Sequence, residues 1–205
     1  MEQPGQDGAD TRGAAYTERL VALQTVWWKR VLPVQAPYRW NVRRLRLGRV
    51  LDVGCGLGRN LTHLDGNGVG VDHNPAFVAH CRSLGLRAWT TEEFAGSPDA
   101  VRGGFDSLLL AHVVEHVDAA TADEILRTYL PYVRPGGAVH VVTPQERGQA
   151  FDPTHVRFCD FDVVEALLRD HGLAVERRYS FPFPRWAGSL FVYNEFNVTG
   201  RLAGP

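Results

Sequence analysis

Three glycines at alternate positions, Gly54, Gly56 and Gly58, stand between two aspartates, Asp52 and Asp72. Glycine carries no Cβ, so such a loop lets the backbone approach a ligand closely and offers N–H groups to it. Asp72 closes the run Gly70-Val71-Asp72, where an acid can accept hydrogen bonds from two ribose hydroxyls. The chemistry this spacing suits is capture of a nucleoside-bearing molecule. A second set of reactive groups lies downstream: His112, Glu115, His116 and His155. Neutral imidazole titrates near working pH and can act as a general base, and imidazole with carboxylate can also hold a metal. A glycine-rich turn without a ligand is the rival reading of the loop, and the agreement of Asp52, the glycines and Asp72 argues against it.

These groups need elements to hold them. Val50, Leu51 and Val53 read as a short buried strand running into the glycine loop, with a short helix over 60–64. Val69 to Val71 predicts a second strand. Asn74-Pro75 is a strong helix start, Asn as N-cap and Pro at the first helical position, and Gly85 stops that helix. Arg87 to Thr90 predicts a third strand. Ser107 to Ala111 is an apolar run of the kind buried on both faces. Thr121-Ala-Asp-Glu124 reads as a capping box opening a helix to Tyr132. Pro135-Gly136-Gly137 is a turn, and Ala138 to Thr143 a fifth strand. Phe161 to His171 predicts a helix, and Leu173–Tyr179 with Leu190–Val198 an antiparallel pair of strands. Alternating strands and helices give an α/β fold, a Rossmann-like doubly wound sheet, mostly parallel with an antiparallel last strand. Ligands bind such sheets at the carboxyl ends of the strands. The loops 54–60, 72–74, 112–116 and 144–155 are therefore expected to meet.

Taken together, Leu51-Asp-Val-Gly-Cys-Gly-Leu-Gly58 resembles motif I of the class I methyltransferases that use S-adenosylmethionine. Gly70-Val-Asp72 resembles their ribose-binding motif, 105–116 their fourth strand, and 130–137 the turn before their fifth. The resemblance covers roughly residues 39–175. It implies S-adenosyl-L-methionine as cofactor, held by Asp52, Gly54, Cys55, Gly56, Gly58, Asn60, Asp72, His73, Thr91, Ala111 and His112. Asp52 would take the methionine ammonium, and His73 would lie beside the adenine. Many relatives have an acid after strand three, and Thr90 stands in that place here. His116 and His155 are expected near the acceptor as catalytic bases. Some small-RNA 2′-O-methyltransferases carry Glu-x-x-Glu-His here with a later His and bind a divalent metal. His112 replaces the first Glu, so the expectation is no metal. Read alone, His112-Val-Val-Glu-His116 matches an inverted zinc-peptidase motif, but that motif needs two histidines on one helix face. Phe181, Phe183, Arg185 and Trp186 are expected to close the acceptor pocket and suit an apolar or anionic small molecule.

The 205 residues suit one domain, and 44% hydrophobic with 22% charged residues is an ordinary globular balance. The expected organisation is a disordered tail over 1–14, then one domain over 15–205 with a helical cap over 15–46. Within that cap, 16–32 reads as an amphipathic helix. A net charge of −1 gives no overall pull toward nucleic acid or anionic membrane, so neither is an expected partner. Cys55, Cys81 and Cys159 form no disulfide-like framework, and no leader is evident, which together suit the cytoplasm. The expected activity is methyl transfer to a small molecule. The rivals are a metal-dependent RNA 2′-O-methyltransferase and a non-catalytic module that binds S-adenosylmethionine or a nucleotide.

Overall fold

A computed structural model of the protein describes residues 35–204. The expected tail over 1–14 and the amphipathic helix over 16–32 lie outside these residues. The chain builds one seven-stranded sheet in the order β3-β2-β1-β4-β5-β7-β6. The strands are β1 Val50–Val53, β2 Gly68–Asp72, β3 Ala88–Thr90, β4 Phe105–Ala111, β5 Val133–Pro144, β6 Ala174–Phe181 and β7 Glu195–Arg201. Pairing is parallel from β3 through β5, while β7 runs antiparallel to both β5 and β6. The helices are α1 Ala36–Arg44, α2 Arg59–His63, α3 Pro75–Ser83, α4 Thr91–Phe94, α5 Ala119–Tyr129, α6 Glu146–Phe151 and α7 Phe161–Asp170.

Every residue of β1 and β2 is buried, as continuous apolar runs in a parallel sheet require. Leu51, Val71, Leu108, Leu110, Val139 and Val141 form the centre of the core with Phe94, Leu126 and Leu168 from the helices. The order reverses direction between β1 and β4, and this switch point opens the crevice at the strand ends.

Three local expectations need correction. Helix α5 begins at Ala119, two residues before Thr121, because Asp118 is its cap and accepts the Thr121 N–H at 2.7 Å. It ends at Tyr129, where Pro131 sits in a 3₁₀ turn over Leu130–Tyr132. The last strand starts at Glu195, not Leu190. Arg185–Ser189 forms a 3₁₀ turn, and the buried Asn194 fixes the chain by bonding Gln145, Ser180 and the Pro184 carbonyl. The Pro135-Gly-Gly turn is a register shift within β5, where Phe105 pairs with Val133 but Ser107 with Ala138. Among the described residues, no helix is long and apolar enough to cross a membrane.

Candidate active site

The glycine loop leaves β1 and crosses the end of β2. Its backbone is tied down internally: the Gly54 and Cys55 N–H groups donate to the Val71 carbonyl, and Gly56 N–H donates to Asp72 Oδ2 at 2.8 Å. Gly58 N–H donates to the Cys55 carbonyl. The expectation that these N–H groups point at a ligand is therefore corrected. The three glycines also do different work, although all have positive φ. A Cβ at Gly54 would strike the Val113 side chain, and one at Gly58 would lie 2.7 Å from Leu86 and 2.9 Å from Cys81. A Cβ at Gly56 would meet nothing within 4 Å. Only this glycine borders open space, which a ligand can occupy. Cys55 packs behind the loop with Leu61, Val78, Cys81 and Ala88.

Asp72 binds two backbone donors, Gly56 N–H through Oδ2 and Asn74 N–H through Oδ1. Each oxygen keeps a further lone pair for an incoming hydroxyl. Asn74 caps α3 as expected, accepting the Ala76 N–H at 3.0 Å. The half-exposed His73 sits 3.5 Å from Asp72. Asp52 is fully buried, and neither carboxylate oxygen has a hydrogen-bond partner of normal geometry. Burial pushes its pKa up to about 7; Arg59 and Asn60 favour the charged form, while Asp72 opposes it. Thr90 pairs with Asp72 in the sheet and caps α4 through a capping box with Glu93, so its hydroxyl is engaged. Thr91 opens α4 with its side chain exposed.

Ala111 ends β4, and His112 follows with a φ of 60°, a left-handed conformation rare for a non-glycine residue. Its ring is clamped between two carboxylates: Nδ1 lies 3.1 Å from Glu115 Oε1 and Nε2 lies 3.0 Å from Glu195 Oε1. Burial alone would lower the His112 pKa, but the two carboxylates outweigh it and raise it to about 9. Glu195 was missed in the sequence. It reaches the site only because β7 pairs antiparallel with β5, setting Glu195 opposite Pro144.

His116 and His155 come together with ring centroids 4.6 Å apart. His116 Nδ1 lies 3.3 Å from the Thr154 carbonyl, and His155 Nδ1 lies 3.1 Å from the Gln149 carbonyl. A carbonyl can only accept, and the Thr154 hydroxyl, 3.1 Å from His116 Nδ1, gives its proton to Asp152 Oδ1, so each Nδ1 carries a proton. Burial, followed by the opposing pull of Glu115 and the repulsion of His155, leaves the His116 pKa below its ordinary value. Glu115 is fully buried, and its Oε2 has no hydrogen-bond partner. One ligand atom from each of Glu115, His116 and His155 lies within 4.8 Å of the other two. The zinc-peptidase arrangement is absent here, because Val114–His116 is a single 3₁₀ turn and His112 is held by glutamates.

On the segments after β5 and β6, Arg185 is paired with Glu146 and lies over the Phe196 ring at 4.8 Å. Phe183 and Trp186 are exposed, whereas Phe181 is buried. A separate cleft of about 350 Å³, bordered by Arg46, Asp106, Arg134 and Arg201, lies at the opposite ends of the strands.

The family model described as "Methyltransferase domain" matches residues 29–180, well over half of the chain. The chain belongs to the class I S-adenosylmethionine-dependent methyltransferases. Their cofactor is S-adenosylmethionine. A curated relative, the ubiquinone biosynthesis O-methyltransferase of Xanthomonas euvesicatoria, is 27% identical over 154 residues, 65% of this chain. The match spans 62% of that relative's length. The fold is similar to an S-adenosylmethionine-dependent methyltransferase from Archaeoglobus fulgidus, with TM-score 0.64, 18% identity and coverage of 80% and 92% of the two chains. It is also similar to the magnesium protoporphyrin IX methyltransferase of Synechocystis PCC 6803 with bound S-adenosylhomocysteine. That match has TM-score 0.65 and 12% identity, covering 95% and 97% of the two chains.

The residues present fit the cofactor. Gly56 leaves room against the loop, Asp72 keeps acceptor capacity for hydroxyls, and Asp52 is a buried carboxyl whose two oxygens have no hydrogen-bond partner.

Proposed function

We infer that this chain methylates a small-molecule acceptor, with the glycine loop, Asp52 and Asp72 holding the cofactor and the His116–His155 pair facing the acceptor. The observation that carries this reading is the open, Cβ-free surface at Gly56 beside Asp72, together with the close approach of the His116 and His155 rings on the loops after β4 and β5. The similarity to a ubiquinone biosynthesis O-methyltransferase and to a magnesium protoporphyrin IX methyltransferase supports the same class. Bound S-adenosylmethionine supplies an electrophilic methyl group on a sulfonium.

The protein's task is then orientation, the largest contribution to an in-line displacement. Asp72 and Asp52 fix the two ends of the cofactor. The Asp52 carboxylic acid releases its proton to solvent and becomes a carboxylate when an ammonium group takes the place beside it. His116 Nε2 accepts a proton from an acceptor hydroxyl or amine, and the Thr154 carbonyl keeps the ring in the required tautomer. His73, Asn60, Thr91, Ala111, Cys55 and His112 complete the proposed cofactor surroundings. In this reading the helix α1 belongs to a cap on the same domain, the setting is cytoplasmic and nucleic acid is not a partner. The test is incubation with isotopically labelled S-adenosylmethionine and host metabolite extract, followed by mass spectrometry. A labelled small product supports the reading; label only on RNA or protein, or on nothing, overturns it.

The closeness of Glu115, His116 and His155 favours a second reading in which they hold a divalent cation. In the preferred reading turnover survives EDTA. Loss of turnover with EDTA and recovery with Mn²⁺ would establish the second.

A further inference from the structure

Large apolar side chains exposed on this molecule are unevenly spread. Trp40, Phe151, Val156, Phe158, Phe183, Trp186, Leu190 and Tyr193 are all exposed, and apart from these only Leu84 and Val101 are so among the described residues. Those eight lie on α1 and on the segments that follow β5 and β6, at the strand ends where the site is built. Concentrated apolar exposure marks a surface that binds something.

Trp40, Tyr193 and Phe183 of this set belong to one wall, a run of aromatics joined by ring contacts and a hydrogen bond. Trp40 stacks on Phe181 with centroids 6.3 Å apart, and Tyr38 meets Phe181 edge-on at 5.6 Å. The Tyr38 hydroxyl donates to the Tyr193 carbonyl at 2.8 Å. Tyr193 meets Phe191 at 5.7 Å, and Phe191 meets Phe183 at 5.1 Å. The inner end of the wall is joined to the chemistry. Phe181 pairs with Glu195 across the sheet, and Glu195 binds His112. The wall is also held in shape. Asn194 accepts the Phe183 N–H at 2.9 Å and donates to Gln145, while a Cβ on Gly188 would overlap the Gln145 side chain. Arg185, the residue that suited an anionic acceptor, is already paired with Glu146. The arginine near the wall's other end, Arg44, lies over the rings of Trp40 and Tyr179. What remains for a ligand is apolar and is exposed at Trp40, Tyr193 and Phe183.

We propose that the acceptor is an amphiphile: its nucleophile-bearing polar end sits at the His112–Glu195 end of the wall, and its apolar body lies along Tyr193, Phe191 and Phe183 toward Trp40. This rests on the methyltransferase reading above and names the class of molecule that reading leaves open.

The probe is a series of 4-n-alkylphenols from ethyl to decyl, titrated calorimetrically into protein saturated with S-adenosylhomocysteine. Affinity is expected to rise by up to about fourfold for each added methylene, the factor for full burial of one such group. Phe183→Ser and Tyr193→Ser are expected to flatten that rise while S-adenosylhomocysteine still binds, which also reports that each variant is folded. A chain-length dependence that is absent, or unchanged in both variants, overturns the inference. So does loss of phosphatidylcholine vesicle binding, or of self-association, in these variants with the alkylphenol series unaltered, because the wall would then be a membrane or subunit surface. Failure of the wild-type protein to bind S-adenosylhomocysteine would instead sink the methyltransferase reading and is read separately.

Discussion

Asp72 Oδ2 accepts the Gly56 N–H at 2.8 Å, so the acid at the end of β2 and the glycine loop after β1 are a single unit. Asp72→Ala removes an acceptor for ligand hydroxyls and also frees the loop. Hydrogen bonds to charged groups contribute about 1.5–3 kcal/mol each, so affinity for S-adenosylhomocysteine should fall at least about tenfold. Calorimetry on the folded variant checks this. An affinity within twofold of wild type would place the hydroxyl contact elsewhere.

Gly56→Val should abolish S-adenosylhomocysteine binding. The added side chain enters the one open space bordering the loop, and valine is strained at a φ of 51°. Gly58→Val should instead cost stability, because its Cβ overlaps Leu86 and Cys81. Thermal melts and binding isotherms measured side by side separate the two. Equal melting points with both affinities intact would contradict this division of labour.

Asp52 makes the protein's stability depend on pH in an unusual direction. Its folded-state pKa of about 7 exceeds that of an unfolded aspartate, so the folded state holds the proton more tightly. Its contribution to stability is therefore fullest below about pH 4 and is lost as pH rises through 7. His63 and His140 act oppositely, since burial lowers both to about 4 and the folded state favours their neutral forms. The informative quantity is thus the difference between Asp52→Asn and wild type. Without cofactor, the variant should be more stable than wild type at pH 8, by on the order of 1–3 kcal/mol, and about as stable at pH 4. It should also lose S-adenosylmethionine binding. A difference independent of pH would show that Asp52 is not perturbed.

His112 gives a second titration. Its pKa is raised to about 9, so the stabilisation from its two carboxylates is complete below about 6.5 and disappears as pH passes 9. Glu195→Gln should bring the imidazole titration seen by NMR down toward neutrality. It should destabilise the protein at pH 7 and have little effect at pH 10. An unmoved titration would break the assignment of the clamp.

At the acceptor end, His116→Ala and His155→Ala should lower turnover by about 10²–10⁴-fold, the usual range for a lost general base, with cofactor affinity nearly unchanged. Because the His116 pKa is depressed, the acid limb of the rate profile should fall below the ordinary histidine value. A profile flat from pH 5 to 8 would remove His116 from proton transfer.

What the sequence disclosed follows a physical line. Val50–Val53 and the Asn74-Pro75 helix start were legible because each is fixed by neighbours in the chain. The start of α5 was misread because Asp118 and Thr121 both stand three residues before a plausible partner, and the fold uses Asp118. Leu190 to Asn194 looks like strand from its apolar residues, yet the buried Asn194 bonds hold it as a turn. The glycine loop was found, but its donors are spent on Val71 and Asp72, which only the pairing of β1 with β2 reveals. Glu195 had no local signal at all, since its role depends on contact with His112, 83 residues away.

The insertion of β7 between β5 and β6 bears on the order in which the molecule is made. The two neighbours of β7 are both synthesised before it, and its slot must stay unfilled until the final strand arrives. Until then β5 has a bare edge, Asn197 and Thr199 cannot reach His140, and His112 lacks its second carboxylate. The glycine loop after β1 and Asp72 at the end of β2 depend on none of this. A chain emerging from the ribosome can thus shape the glycine loop and Asp72 early, whereas the clamp on His112 closes only once β7 has been made.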